Sequence, residues 1–72
     1  MIKFAMIEIS LNGEPVRLDG PLAVSALLAA QGLAGKRVAV ERNGEIVPRS
    51  RHAEVIVATG DRIEIVVAVG GG

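Results

Sequence analysis

Few side chains in this sequence could do chemistry, and the first to weigh is the single histidine, His52. It stands among Arg49, Ser50, Arg51 and Glu54 with nothing at metal-ligand spacing around it, so it reads as a surface histidine and no metal site is expected. Ser10, Ser25 and Ser50 could each be imagined beside His52 and Asp61. A nucleophile triad, however, needs a pocket and a strained nucleophile position, and neither is signalled here. Gly35-Lys36 matches the end of a phosphate-binding loop, but the full pattern would need glycine at Ala30 and Ser or Thr at Arg37. No catalytic residues are therefore expected, and the chain does not read as an enzyme. What remains is Gly70-Gly71-Gly72, a backbone stripped of side chains that stops at a carboxylate. No helix follows to aim its amides at phosphate. Such a segment is either a flexible end or a tail that reaches about 10 Å beyond the body into a channel too narrow for any Cβ. Its position directly after a Val-rich strand favours presentation.

The elements that must position this tail follow from periodicity. Ile7, Ile9 and Leu11 alternate with polar residues as a half-buried strand. Asn12-Gly13 then suits two positive φ angles, and Val16 and Leu18 resume the alternation, which gives a β-hairpin. After the break at Asp19-Gly20-Pro21, Leu22, Val24, Leu27 and Leu28 fall at helical spacing among alanines, predicting a two-turn helix over 24–31 with Gly32 as its stop. The start signal is weak, resting on Asp19 or Gly20 as a cap. Val38 and Val40 open a second hairpin around Asn43-Gly44, and Pro48, which has no amide proton, ends that strand or places it at an edge. Residues 49–53 read as irregular, with at most one helical turn, before Val55-Ile56-Val57 and a turn at Thr59-Gly60-Asp61. Ile63, Ile65, Val67 and Val69 make a long last strand whose hydrophobicity places it in the middle of the sheet, with those four residues facing the helix. Val66 and Ala68, beside Glu64, then emerge on the opposite face as an apolar patch that suggests docking.

Length and composition agree. The 72 residues allow a single domain, 1–72, with 1–5 preceding the strand pattern as an N-terminal extension and 70–72 as the tail. Half the residues are hydrophobic, enough for a core. Eight basic residues balance eight acidic ones and Phe4 is the only aromatic, so neither the field nor the stacking surface of a nucleic-acid binder is present. Apolar runs such as 66–69 are far shorter than the ~20 residues that span a bilayer, and no secretory signal is readable, which points to the cytoplasm. The sequence contains no cysteine, so disulfides and thiol chemistry are excluded. A sheet brought together from two hairpins and a central last strand, covered by one helix, is α+β. The expected arrangement is the β-grasp, a mixed sheet of four to five strands packed on one helix, with a flexible glycine tail.

Over residues 6–72 the sequence resembles the ThiS-type sulfur carriers of thiamin biosynthesis. The resemblance is carried by Val38-Ala39-Val40-Glu41-Arg42-Asn43-Gly44-Glu45-Ile46-Val47-Pro48-Arg49, by Gly60-Asp61-Arg62-Ile63-Glu64-Ile65, and by the ending Val69-Gly70-Gly71-Gly72. A terminal Gly-Gly alone is shared with molybdopterin-type carriers and ubiquitin. The molybdopterin type typically has prolines before it, and residues 65–69 have none. Departures are residues 1–5 and Ala23, where members often carry Thr. The resemblance implies a protein cosubstrate with no permanently bound cofactor. A ThiF-like adenylating enzyme would use ATP to convert the Gly72 carboxylate to an acyl adenylate, since an ionised carboxylate is a poor electrophile. Sulfur from a cysteine-desulfurase persulfide would then replace AMP, and the thiocarboxylate would serve a ThiG-like thiazole synthase. Gly70 and Gly71 would be presented to these partners with Gly72, and Glu64, Val66 and Ala68 would meet the adenylating enzyme. The alternatives are a molybdopterin-type carrier or a ubiquitin-like modifier joined through Gly72 to lysines.

Overall fold

The alternation at the start of the chain becomes β1 (Ile7–Leu11), which turns at Asn12-Gly13 into β2 (Glu14–Leu18). The second hairpin pairs β4 (Val38–Arg42) with β5 (Glu45–Val47) through Asn43-Gly44. Both turns use the left-handed backbone that Asn-Gly tolerates: φ is 51° at Asn12 and 85° at Gly13, 53° at Asn43 and 86° at Gly44. These elements come from a computed structural model that describes residues 6–68. The expectations for residues 1–5, for Val69 and for Gly70, Gly71 and Gly72 lie outside the described residues.

The last strand, β7 (Arg62–Val67), takes the centre of a five-stranded sheet ordered β2-β1-β7-β4-β5. It runs parallel to β1, with Leu11 opposite Ile63, and antiparallel to β4, with Val40 opposite Ile65 and Val38 opposite Val67. The sheet is thus mixed, and β5, which stops before Pro48, is an edge strand. One helix, α1 (Val24–Ala30), covers one face with Val24, Leu27 and Leu28 against Ile7, Ile9, Val40, Val47, Val57, Ile63 and Ile65. Leu27, Ile63, Val24, Val40 and Val57 are the largest fully buried side chains. Truncating one of these to alanine would cost about 2–5 kcal/mol for a Leu or Ile. This is the ubiquitin-like β-grasp.

Three local expectations change. Just ahead of the helix, Leu22 and Ala23 form a two-residue strand, β3 (Leu22–Ala23), paired with β6 (Ile56–Val57). The helix consequently has Ala23 at its N-cap and no side-chain cap; the Val24 and Ser25 amides donate instead to the carbonyls of Val55 and His52, at 2.9 and 2.8 Å. Neither Asp19 nor Gly20 caps it. His52 is not a surface residue: a 3₁₀ turn at Arg49–Arg51 folds the chain back, and the ring is buried at 9% exposure. Its Nε2 lies 3.1 Å from the Val47 carbonyl, which can only accept, so Nε2 carries the proton. One inward position amid exposed neighbours leaves no periodic trace. Finally, Val67, expected to face the helix with Ile63 and Ile65, is 43% exposed.

Candidate functional site

The glycines singled out in the sequence follow β7, so the site is built from how that strand is held. At its start the strand is tied into a polar cluster. Asp61 accepts from Arg42 Nε at 2.8 Å, from Asn43 Nδ2 at 3.0 Å and from the Ala58 amide at 2.9 Å. Burial pushes its carboxyl up, but the hydrogen bonds from Ala58, Arg42 and Asn43 and the Arg42 charge outweigh that and hold it below the ordinary carboxylate value. Asn43 also accepts the Arg62 amide through Oδ1 and donates its own amide to the Arg62 carbonyl, both at 2.8 Å.

Further along, β7 leans on the other Asn-Gly turn. The Asn12 amide donates to the Ile63 carbonyl at 2.8 Å, and its carboxamide accepts the Ile65 amide at 2.8 Å and donates to the Ile65 carbonyl at 3.3 Å. On the opposite side the Ala68 amide donates to the Arg37 carbonyl at 2.9 Å. These side-chain clamps were invisible in the sequence, where Asn-Gly signals only a turn. The positive φ that could be read there is nevertheless what carries each Asn side chain over to β7.

The sheet face away from the helix presents Glu64, Val66 and Ala68, all exposed, with Val66 at 65%. Ala39 lies opposite Val66, Glu41 opposite Glu64, and Ile46, 63% exposed, opposite Glu41. The apolar patch is therefore wider than the β7 residues alone. Ile46 leaves no outward signal because β5 is only three residues long, and Ala39 leaves none because alanine suits either face of a strand. Two like charges side by side are unfavourable in a sheet, and neither Glu41 nor Glu64 has a basic partner within salt-bridge reach among the described residues.

On the helix side, a groove of about 360 Å³ is lined in part by Ser25, Ser50, His52, Lys36, Arg37 and Arg49. Two of the serines considered for a triad thus approach His52, but neither hydrogen-bonds it, and the Asp61 carboxylate is committed to Arg42, Asn43 and Ala58. Among the described residues no group of three or more His, Cys, Asp or Glu could hold a metal ion, and no helix is long and apolar enough to cross a membrane.

Comparison with known proteins adds four findings. The profile of the ThiS family matches residues 9–72. A thiazole synthase of Paramagnetospirillum magneticum is 46% identical over 66 residues, covering 92% of this chain and 20% of that protein; this chain spans about a fifth of the length of the first curated relatives it matches. The sulfur carrier protein ThiS of Bacillus subtilis is 43% identical over 65 residues, covering 89% of this chain and 98% of the relative. Among solved structures, the crystal structure of the thiamine biosynthesis protein ThiS from Geobacter metallireducens superposes with a TM-score of 0.79 at 36% identity, covering 92% of this chain and all of that one.

Proposed function

The chain belongs to the ThiS family, and from that premise we propose that it is a sulfur carrier of thiamin biosynthesis, a cosubstrate and not a catalyst. The observation that carries this reading is the reach of the family match, which runs through Gly72 and so takes in the glycines that follow β7. In the proposed cycle a ThiF-like enzyme joins the Gly72 carboxylate to the α-phosphate of ATP and releases pyrophosphate. The terminal sulfur of a persulfide made by a cysteine desulfurase attacks the acyl carbon and expels AMP. A thiol then attacks the cysteine sulfur of the resulting acyl disulfide, forming a new disulfide with it and releasing the thiocarboxylate. With no cysteine in its sequence, the chain has no thiol of its own for this traffic. The sulfur rides on Gly72.

A ThiG-like thiazole synthase is the proposed acceptor, supported by relatives named thiazole synthase that contain a stretch similar to this chain. The face bearing Glu64, Val66 and Ala68 is the proposed contact with the adenylating enzyme, Gly70 and Gly71 the segment threaded into it, and the cytoplasm the setting. ATP belongs to the partner, and no permanent cofactor is assigned to the carrier. Mass spectrometry of the chain after incubation with ATP, the adenylating enzyme, cysteine and a desulfurase tests this. The expected product has one carboxylate oxygen replaced by sulfur on its C-terminal fragment. A wild-type chain that gains no such mass with a competent enzyme set, or a chain lacking Gly72 that gains it equally, overturns the assignment; sulfur delivered to a pterin, or conjugates to lysine, would support the alternatives.

A further inference from the structure

Strand β1 stops pairing with β7 at Leu11, opposite Ile63, and turns away into β2, yet β7 runs on to Val67. In a sheet, successive residues point their amide and carbonyl to alternate sides. On the β1 side Asp61 accepts from the Ser10 amide at 3.0 Å and Ile63 from the Asn12 amide at 2.8 Å. The next residue facing that side is Ile65, and no strand remains there among the described residues. Both of its backbone groups are instead met by the Asn12 carboxamide, at 2.8 and 3.3 Å. A side-chain amide has the same donor and acceptor as a peptide, and the left-handed backbone at Asn12 sets it where the next residue of β1 would have been. The side chain extends the sheet by one residue after its strand has left.

We propose that Asn12 is a positioning residue for the tail: it keeps β7 straight through Ile65, so that the chain leaves the sheet toward Gly72 along a fixed line into the adenylating site. The inference rests on the carrier function proposed above. Beyond Ile65 the described chain is held only from the β4 side, last by the Ala68 amide on the Arg37 carbonyl. Without the Asn12 side chain, the strand would be free on one side beyond Ile63, and the reactive carboxylate would be delivered with a spread of directions. Reaction in a narrow site is sensitive to displacement of about 1 Å.

The molecule contains its own control. Asn43 begins the same dipeptide, has nearly the same φ and also clamps β7 through its side chain, but at Arg62, the end remote from the tail. Asn12→Gly and Asn43→Gly both retain a residue suited to positive φ while removing the carboxamide. Pyrophosphate exchange catalysed by a ThiF-like enzyme should be measured for each variant over a range of carrier concentrations, well below the melting temperature. Amide hydrogen exchange should be followed at Ile65 and Arg62. For Asn12→Gly we expect faster exchange at Ile65 and a fall in kcat of about tenfold or more, with KM for the carrier changed little because the sheet face is intact. Asn43→Gly should speed exchange at Arg62 and leave kcat within about twofold. Asn12→Asp, which keeps an acceptor for the Ile65 amide, should fall between wild type and Asn12→Gly and serves if the glycine variant does not fold. Equal losses of kcat in Asn12→Gly and Asn43→Gly, or normal kcat with an opened Ile65 amide, would overturn the inference while leaving the carrier function standing. A wild-type chain that supports no exchange would remove both.

Discussion

The two ends of β7 are built for opposite purposes. Its start is anchored: Asp61 takes three hydrogen bonds from three separate residues, Asn43 brackets Arg62, and Ile63 is fully buried. Its far end is lightly held, with Val66 65% and Val67 43% exposed and Ala68 tied by one backbone bond. Stability is gathered where the strand enters the sheet, so the exit is free of packing duties. The apolar residues exposed at that exit add little to the buried core, which suits the docking role proposed for this face.

The sharpest way to break this division is at the tail itself. Gly71→Val adds a branched side chain to a segment proposed to thread a narrow passage, and removal of Gly72 shortens its reach. Each should cut thiocarboxylate formation by more than about a hundredfold while stability moves by less than about 0.5 kcal/mol. Intact mass and thermal melting of the same samples read both quantities. A tail variant that melts early would show that the exit contributes to folding after all.

At the anchored end the expected pattern is reversed. Asp61→Ala leaves the Ala58 amide, the Asn43 carboxamide and Arg42 without their acceptor, which should cost about 2–4 kcal/mol of stability, with adenylation of the molecules that remain folded nearly unchanged. The pH dependence supplies a second signature. Because the folded-state pKa of Asp61 is held below its ordinary 3.8, its contribution is complete above that value and disappears as pH falls through the lowered one. Urea melts between neutral and strongly acid pH should therefore show a steeper acid loss in wild type than in Asp61→Ala. Parallel curves would mean that the cluster contributes packing and no linked charge.

Val66→Glu tests the exposed side of the exit. It would place a third carboxylate beside Glu64 and Glu41 on the outer face. We expect adenylation to fall about tenfold through KM, with unchanged circular dichroism and a stability loss of about 1 kcal/mol or less. Unchanged kinetics would remove this face from the docking surface.

How much of this was legible depended on whether a feature repeats. The alternations that become β1 and β7, the two Asn-Gly turns and the apolar spacing of Val24, Leu27 and Leu28 each recur over several residues, and the β-grasp followed from them. The strand Leu22-Ala23 leaves no signal because two residues have no period of their own and its partner, Ile56-Val57, lies more than thirty positions away. His52 was misplaced because a single 3₁₀ turn buries one residue among exposed neighbours. In the candidate site, the outward set on β7 could be read from alternation. The Asn12 and Asn43 clamps and the Asp61 cluster could not, since, apart from the Ala58 bond to Asp61, they join residues 18 to 53 positions apart through side chains.

The smallest expected effect decides the outline of the docking patch. Ile46 is as exposed as Val66 and lies on the same outer face, but on the edge strand β5, two strands away from β7. If the patch follows the exit strand, contact energy is concentrated at Val66, because burial is worth most where water is fully excluded near the centre of an interface. Ile46 then lies at its rim. Ile46→Thr keeps a β-branched residue suited to a strand, so its stability should stay within about 0.5 kcal/mol of wild type, and KM for adenylation should rise by no more than about twofold. Titration of the adenylating enzyme with both variants under one set of conditions gives the ratio directly. A KM increase for Ile46→Thr equal to that of Val66→Glu would instead place the centre of the patch across β4 and β5, and the contrast along β7 would have to be redrawn as a contrast between the two faces of the sheet.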